Sequence, residues 1–336
     1  MDPDLHRDLV SLKMIENIKI DGEKISFSIV LTTPSCPLKH QIEADARDAV
    51  LTMTSASEVD IEMTSRINAP KGLDLGGNCF KHVIAIGSGK GGVGKSTVSL
   101  NIALALAKDG ARVGLLDADI YGPNIPRMLG LDRLPDSPEG GKIKPSEIHG
   151  IKVVSIGFMV QPGQPLIWRG PMLHSAIQQF LTDFDWGDLD YLVVDLPPGT
   201  GDVQLSLTQS MPVSGAVIVT TPQQVAVDDA YRAVNMFAKL ETPLFGIIEN
   251  MAYLEMPDGS HQFLFGEKGG ERLAAQVGVP FLGRIPIDAR IGLGGDIGSP
   301  EVLQESLSPA GEALIEIARN VAAEASKEAY RKIQAR

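Results

Sequence analysis

Cysteine is scarce in this chain of 336 residues, which contains only Cys36 and Cys79. Two cysteines exclude a disulfide framework and a Cys-x-x-Cys metal site, and they fit a reducing compartment. The sequence also lacks any run of 18 apolar residues, and its first four residues contain no apolar signal core. We therefore expect no membrane partner and, by default, a cytoplasmic location.

Positive charge is also in short supply. The chain carries 30 Lys and Arg against 42 Asp and Glu, a net charge of -12. The first 68 residues have 7 against 12 and the remainder 23 against 30, so neither part is basic. Because nucleic-acid phosphates are bound by a basic face, we expect no nucleic-acid partner. The six histidines include no pair at the i, i+4 spacing of a helical metal site, and no Ser/His/Asp hydrolase signature is present.

The length and the 43% hydrophobic content predict a soluble globular protein of about two domains. A stretch rich in Gly and Pro at residues 69–80 predicts a linker. Before it, strand patterns at 24–31 and 59–63 enclose a helix from about 37 to 51. We therefore predict a small α+β domain over residues 1–68.

Residues 81–336 show a regular alternation of strands and helices. Short apolar, β-branched runs are separated by amphipathic stretches, and a long helix is predicted over about 309–333. The runs lie at 83–86, 113–116, 153–156, 191–194, 216–219 and 244–248. This pattern predicts an α/β domain with a parallel sheet that is covered on both faces.

A glycine-rich loop follows the first of these runs. Residues 89–97 fit the pattern G-x-x-x-x-G-K-[ST], with a strand before them and a helix at 98–107 after them. Backbone N–H groups of such a loop surround phosphate oxygens, and the helix N-terminus adds partial positive charge. Lys95 is expected to reach the β- and γ-phosphates of ATP and Ser96 to bind Mg²⁺. The expected nucleotide contacts of the loop are Gly89, Lys90, Gly91, Gly92, Val93, Gly94, Lys95, Ser96 and Thr97.

Two acidic motifs follow later strands. The first contains Asp117 and Asp119, and the second runs from Asp195 to Asp202 as DLPPGTGD. Ligands of open α/β sheets bind at the carboxyl ends of the strands, so we expect both motifs to lie beside the phosphate loop. There, one carboxylate would hold Mg²⁺ through water and another would orient the attacking water. The N–H of Gly199 would sense the γ-phosphate.

These motifs carry a family resemblance. The loop GKGGVGKST resembles that of the deviant Walker A ATPases, which include MinD, ParA and the nitrogenase iron protein. DADIYGPNIPRMLG and DLPPGTGD are more similar to the Mrp/ApbC iron–sulfur cluster carrier proteins, and this likeness covers about residues 80–330. The segment LTTPSCPL resembles a small MIP18-type domain. The resemblance implies a P-loop NTPase domain in an ATP-hydrolysing homodimer whose partners are iron–sulfur apoproteins or assembly factors.

The same resemblance implies roles for individual residues. Lys90 would cross the homodimer interface to the partner's nucleotide, and it would act in catalysis with Lys95 and Asp119. Asp119 would orient the hydrolytic water, while Asp117 and Asp195 would support Mg²⁺ and its water shell.

Three further residues match the family's contacts to the base. Asn250 corresponds to the asparagine that reads adenine, and its side chain has a donor and an acceptor, which suits the edge of that base. Pro286 and Asp288 match the loop that flanks the base.

The sequence departs from the family at the cluster site. The family has a C-P-x-C pair there, and two such pairs across a dimer would hold one cluster by four thiolates. In this chain Met256 and Gly259 occupy the two cysteine positions, and Pro257 is retained. Cys79 precedes the first strand, at the opposite end from the phosphate loop. Cys36, just before the predicted helix, would gain thiolate character and is a possible thiol site, with a small half-buried residue at a turn as the alternative.

The missing cysteine pair leaves two alternatives for cluster handling. Either cluster binding has moved to Cys36 and to partner thiols, or this chain is an assembly factor that holds no cluster. A MinD/ParA-like positioning switch is the alternative from another class. It would need a basic surface or a membrane-binding tail, and residues 322–333 have few large apolar side chains. A nitrogenase-type reductase would need thiolates that the catalytic domain lacks.

Overall fold

The structure is a computed structural model that describes residues 7–67, 73–135, 141–158 and 170–335. The chain divides into two compact units. The first comprises Met1–Pro70 together with Ala322–Arg336, and the second comprises Lys71–Val321. The division proposed from sequence, with a linker at 69–80, stays a prediction, and residues 68–72 lie outside the described part of the chain.

A three-stranded sheet and a helix form the N-terminal part of the first unit. Its elements are β1 (Ile15–Asp21), β2 (Lys24–Leu31), α1 (Lys39–Met53) and β3 (Glu58–Ser65). The sheet order is β1-β2-β3, with β1 antiparallel and β3 parallel to β2. Phe27, Ile29 and Ile42 pack together with Val59 in the core of this unit. The two predicted strands and the helix are confirmed, although α1 begins at Lys39 rather than near residue 37.

The second unit contains the large sheet. The strands of this sheet are β4 (Leu73–Leu75), β5 (Asn78–Ser88), β6 (Val113–Asp117), β7 (Ser146–Ile148), β8 (Ile151–Ser155), β9 (Asp188–Asp195), β10 (Gly215–Thr220), β11 (Leu244–Glu249) and β14 (Phe281–Arg284). Between β11 and β14, the strands β12 (Leu254–Glu255) and β13 (His261–Gln262) form a separate hairpin. Its helices are α2 (Lys95–Lys108), α3 (Ile125–Met128), α4 (Gly170–Thr182), α5 (Asp202–Gln209), α6 (Gln224–Lys239), α7 (Gly269–Val277) and α8 (Ala289–Ile297). The last helix, α9 (Pro309–Gln334), begins in this unit and ends in the first. Two short 3-10 helices lie at Ile156–Phe158 and Glu301–Leu303.

The sheet is mostly parallel, as predicted. Within the described residues its strand order is β14-β11-β10-β5-β9-β6-β8-β7, and β4 pairs with β5. Strands from β14 to β8 in this order run parallel, while β7 and β4 are antiparallel additions. Every residue of β6 and β10 is buried, so side chains on both faces of these strands are covered. This burial explains why the strands read as continuous apolar runs rather than as an alternating pattern.

Part of the predicted linker forms strands. Residues 73–75 pair with 78–80 as an antiparallel hairpin. Gly76 and Gly77 make its turn with φ values of 61° and 82°, a backbone conformation that glycine adopts without steric cost. Phe80 is buried in the main core. The glycines that suggest a linker therefore serve a tight turn.

In the part of the chain that the structure describes, no helix is long and apolar enough to cross a membrane.

An ion-pair network joins β9 to the neighbouring strands at the amino end of the sheet. The carboxylate of Asp190 accepts hydrogen bonds from Arg112 Nε at 3.2 Å and Nη2 at 3.1 Å, and Lys81 Nζ lies 2.9 Å away. Burial alone would raise the pKa of Asp190, but the hydrogen bonds from Arg112 and Lys81 outweigh it and lower this pKa to about 2.

We predict that Asp190→Asn lowers the free energy of unfolding near neutral pH by about 2 kcal/mol, the equivalent of the pKa shift. Because the folded pKa is depressed, the wild-type advantage is present above about pH 4 and is lost as the pH falls towards 2. Denaturant unfolding at a series of pH values measures it. Asp188→Asn is the control, since Asp188 is exposed and lies 3.9 Å from Arg112. Equal effects of the two substitutions would contradict the prediction.

Candidate functional site

The glycine-rich loop connects the end of β5 to the start of α2. Gly92 and Gly94 have φ values of 80° and 83°, and Gly94 is the residue that precedes the first turn of α2. Gly89 is fixed by packing: a Cβ at this position would lie 2.1 Å from the carbonyl carbon of Asp229 in α6. Thus both the conformation and the close approach of the loop depend on glycine.

A buried lysine lies among carboxylates at the start of α2. The Lys95 side chain is 5% exposed, and its Nζ lies 2.8 Å from Asp195 Oδ1 and 3.4 Å from Asp119 Oδ2. The other oxygen of Asp195 accepts a hydrogen bond from the Ser96 hydroxyl at 2.6 Å. The Ser99 hydroxyl donates to Asp195 Oδ1 at 2.7 Å. Asp195 is therefore held by three donors from one helix.

Strand register explains why the acidic residues converge. Asp117 and Asp195 are the last residues of the neighbouring parallel strands β6 and β9, and they are register partners. Asp119 follows two residues later, and its N–H donates to Asp117 at 3.2 Å. The predicted meeting of the two acidic motifs with the phosphate loop is thus confirmed, while the roles assigned to each residue stay predictions.

The deepest carboxyl group is that of Asp117. It accepts hydrogen bonds from the Ser155 hydroxyl at 2.8 Å and from the backbone N–H of Ile125 at 3.3 Å. Burial and the nearby charge of Asp195 raise the pKa of Asp117 to about 8. Burial also raises the pKa of Asp119, although Lys95 opposes this shift. Burial thus makes Asp117 a weaker acid than an ordinary aspartate.

A cleft of about 420 Å³ opens above this cluster. Its floor is made by the phosphate loop, with Asp119 and Pro198 beside it. One wall is formed by Arg127 and Met128 of α3, and the other by residues 291–296 of α8. The predicted loop residues that line it are Lys90, Gly91, Gly92, Gly94, Lys95, Ser96 and Thr97.

The three predicted base contacts have defined places within the protein, and their roles towards a base stay predictions. The Asn250 side chain donates to the carbonyl of Val93 at 2.8 Å, and a Cβ on Gly94 would lie 2.2 Å from its Nδ2. Asn250 therefore braces the phosphate loop. Asp288 caps α8 by accepting the N–H of Arg290 at 2.8 Å, and Pro286 is buried. Among the described residues that line the cleft, none of these three is present.

The N–H of Gly199 already has a partner in the protein. It donates to the carbonyl of Ser88 at 3.0 Å, with Gly199 at a φ of 99°. Contact with a phosphate would require this hydrogen bond to be exchanged. Lys90 is half-buried and has no ion pair to a described residue, so its ammonium is available at the rim of the cleft.

The segment that replaces the family's cysteine pair is a closed hairpin turn. The N–H of Gly259 donates to the carbonyl of Met256 at 2.9 Å, and Met256 N–H donates to Ser260 at 2.8 Å. Pro257 is the second residue of this turn, and Gly259 has a φ of 80°. This is a three-residue hairpin loop whose last position favours glycine. No thiol belongs to it.

Cys36 and Cys79 lie elsewhere. Cys36 is half-buried in the turn before α1 and packs against the core of the first unit. The sequence placed Cys36 directly before the predicted helix. Because α1 begins at Lys39, Cys36 instead lies three residues before the helix. Cys79 lies near the start of β5, and the phosphate loop follows the end of that strand, as predicted.

Sequence inspection missed two hydroxyl groups of the site. Ser99 is four residues after Lys95, so both lie on one face of α2, and that spacing is a usable signal. Ser155 ends β8 and is the register partner of Asp117. The rule that sites gather at the carboxyl ends of strands could have found it. No comparable sequence pattern identified the residues of α3 and α8 that line the cleft.

The donor set fits Mg²⁺. Within the described residues, no group of three or more His, Cys, Asp or Glu side chains is arranged to hold a metal ion. Mg²⁺ does not require one, because it keeps several waters and uses one or two carboxylates together with nucleotide phosphates. The hydroxyl of Ser96 and the carboxylates of Asp195 and Asp119 are hard oxygen donors of this kind.

The fold and the loop define the class of protein: a P-loop NTPase built on a parallel sheet. The model of the NUBPL iron-transfer P-loop NTPase family matches residues 79–322, and that of an iron–sulfur cluster assembly protein family matches residues 1–63. The chain therefore belongs to the NUBPL iron-transfer P-loop NTPase family, and the resemblance seen in its motifs is confirmed.

Curated relatives extend over nearly the whole chain. An iron–sulfur cluster carrier protein from Deinococcus radiodurans is 51% identical over 97% of this chain and 92% of its own length. The chloroplastic Fe–S cluster assembly factor HCF101 from Arabidopsis thaliana is 42% identical over 92% of this chain, and 59% of its own length is covered.

Solved structures share the fold of the second unit. A nucleotide-binding protein from Archaeoglobus fulgidus, in complex with ADP, is 41% identical with a TM-score of 0.58 over 65% of this chain and 87% of its own. MinD from Aquifex aeolicus, in complex with MinC, is 27% identical with a TM-score of 0.54 over 71% of this chain and 94% of its own. The expected α/β fold with a mainly parallel sheet is confirmed.

We predict that Gly89→Ala weakens nucleotide binding at least about tenfold, because its Cβ would displace the loop from the backbone of α6. Gly91→Ala is the matched control: it lies in the same loop, and its nearest neighbour would be Pro198 at 3.9 Å. Titration with a fluorescent ADP analogue measures both. Equal affinities for the two variants would contradict the steric explanation.

Proposed function

We propose that this protein binds ATP with Mg²⁺ in the cleft, hydrolyses it as a homodimer, and uses the cycle in iron–sulfur cluster carriage to apoproteins. The observation that carries the proposal is the buried Lys95, held by Asp195 and Asp119 beneath a phosphate loop. It occurs in a chain that is 51% identical to an iron–sulfur cluster carrier protein.

Lys95 supports phosphate binding in this scheme. Its ammonium neutralises Asp195 and Asp119, and it would turn towards the β- and γ-phosphates when they enter the cleft. The Ser96 hydroxyl would exchange Asp195 for Mg²⁺, which when bound screens the negative charge of the phosphates. The carboxylate of Asp195 would then hold a water of the ion.

Asp119 is the candidate for orienting the attacking water. It lines the cleft and accepts the N–H groups of Tyr121 and Gly122 at 3.2 and 3.3 Å, which fix its carboxylate. The water oxygen would bond to the γ-phosphorus as the bond to the ADP oxygen breaks. The proton of the water passes to the released phosphate. Correct placement, rather than strong basicity, is the main demand of this reaction.

The homodimer proposal rests on Lys90. One lysine suffices for phosphate contacts from within the loop, and Lys95 occupies that place. Lys90 lies at the rim of the cleft without an ion pair to a described residue, so its charge can serve a nucleotide in a facing subunit.

We propose that the cluster is bound in the first unit. The turn from Met256 to Gly259 offers no thiolate, and its hydrogen bonds close it. Cys36 is a half-buried thiol in the segment that matches an iron–sulfur cluster assembly protein family. We therefore assign cluster ligation to Cys36 together with thiols of a partner.

The positioning-switch alternative is less well supported. MinD shares the fold of the second unit at 27% identity, whereas relatives at 40–51% identity over nearly the full chain are named iron–sulfur cluster carrier proteins. The net charge of -12 does not favour DNA as a partner.

We predict that Lys95→Ala abolishes ATP hydrolysis, because the γ-phosphate loses its cation and the buried carboxylates lose theirs. Lys239→Ala, at the exposed end of α6, is the control and should retain wild-type turnover. Phosphate release measures both. Turnover by Lys95→Ala, with its folding verified by circular dichroism, would remove Lys95 from the phosphate role.

For the cluster assignment, we predict that anaerobic reconstitution with iron and sulfide colours the wild-type chain and Cys79→Ser but not Cys36→Ser. Visible absorbance and iron content are the measurements. Cluster binding by Cys36→Ser would exclude Cys36 as a ligand. A colourless wild-type chain would contradict carriage and leave the role of an assembly factor that holds no cluster.

A further inference from the structure

A buried amide beside the proposed nucleotide site has no hydrogen-bond partner among the described residues. The side chain of Gln204 is 1% exposed, and neither its Nε2 nor its Oε1 makes a hydrogen bond to any described residue. Buried polar groups are nearly always paired, and an unpaired one destabilises the arrangement that contains it. An unpaired amide at this buried position therefore indicates a functional role for Gln204.

Gln204 lies where three elements of the site meet. It is the third residue of α5, directly after the loop that runs from Asp195 to Gly201. A Cβ built on Gly87 of β5 would lie 3.1 Å from Gln204 Nε2 and 3.1 Å from the ring of Phe237 in α6. The amide thus lies close to the β5 backbone at Gly87, two residues before the phosphate loop.

The same end of β5 holds the loop that precedes α5. Leu196 N–H donates to the carbonyl of Ile86 at 3.1 Å, and Gly199 N–H donates to the carbonyl of Ser88 at 3.0 Å. If Gly199 turns its N–H to the γ-phosphate, the Ser88 carbonyl loses this donor. The amide of Gln204 lies close to Gly87, the residue before Ser88, and its N–H groups make no hydrogen bond to a described residue.

We propose that Gln204 is a positioning residue of the nucleotide switch, a role that rests on the proposed ATP function. Without a γ-phosphate, Gly199 occupies the Ser88 carbonyl and the Gln204 amide is unpaired. With ATP, Gly199 moves to the phosphate and the Gln204 side chain turns to donate to the β5 backbone. This exchange gives the Ser88 carbonyl a new donor and the Gln204 amide an acceptor. It therefore favours ATP over ADP and couples the bound nucleotide to the position of α5.

The test compares Gln204→Met, which keeps length and removes the amide, with Gln209→Met at an exposed position of the same helix. Thermal unfolding without nucleotide and the affinities for ADP and a non-hydrolysable ATP analogue are measured. We expect Gln204→Met to unfold at the wild-type temperature or a few degrees higher, since an unpaired polar group is removed. The preference for the ATP analogue over ADP should fall about tenfold while ADP affinity stays within about twofold.

Two results would overturn the proposal. A lower unfolding temperature of Gln204→Met, with Gln209→Met unchanged, would show that the amide is already paired in the nucleotide-free protein. An unchanged preference for the ATP analogue would show that it takes no part in the switch. A wild-type protein that binds neither nucleotide would instead contradict the proposed ATP function, and the switch with it.

Discussion

The site depends on one ion cluster, in which the Lys95 ammonium lies within 2.8 Å of Asp195 and 3.4 Å of Asp119. Parallel pairing of β6 and β9 places Asp117 and Asp195 side by side at the buried end of the sheet. Unpaired charges in such surroundings are strongly unfavourable. The lysine at the start of α2 compensates for them. The arrangement stays rich in acceptors and poor in cations, which suits a site that receives Mg²⁺ with a nucleotide.

The elements around this cluster are fastened to it by close backbone contacts. Because Gly89 has no side chain, the phosphate loop lies against the backbone of α6. Asn250, at the end of β11, donates a hydrogen bond to the carbonyl of Val93 in the loop. Gly199 links the loop before α5 to β5 through its hydrogen bond to the Ser88 carbonyl. The hairpin after β11 is built differently. Its turn at Met256–Gly259 is closed by its own hydrogen bonds and provides no thiol.

The sequence predicted those parts of the fold whose signal is local. Buried parallel strands are apolar runs, and the phosphate loop has a fixed glycine and lysine spacing. β1 went unnoticed because its register shifts between Glu16 and Lys19, which disrupts the alternation of a strand. Gln204 and the partner of Asn250 depend on which strands and helices become neighbours, and that information is not present in the spacing along the chain. Gly76 and Gly77 form a turn between strands, and the composition of such a turn resembles that of a linker.

The most direct test of this account is a double-mutant cycle on Lys95 and Asp195, read by denaturant unfolding without nucleotide. Lys95→Met and Asp195→Asn each leave a buried charge without its partner and should each cost about 3–5 kcal/mol of unfolding free energy. The double variant should lose less than the sum, with a coupling of about 2 kcal/mol or more. Additive losses would show that the two side chains do not depend on each other, and would contradict a site organised by this ion pair.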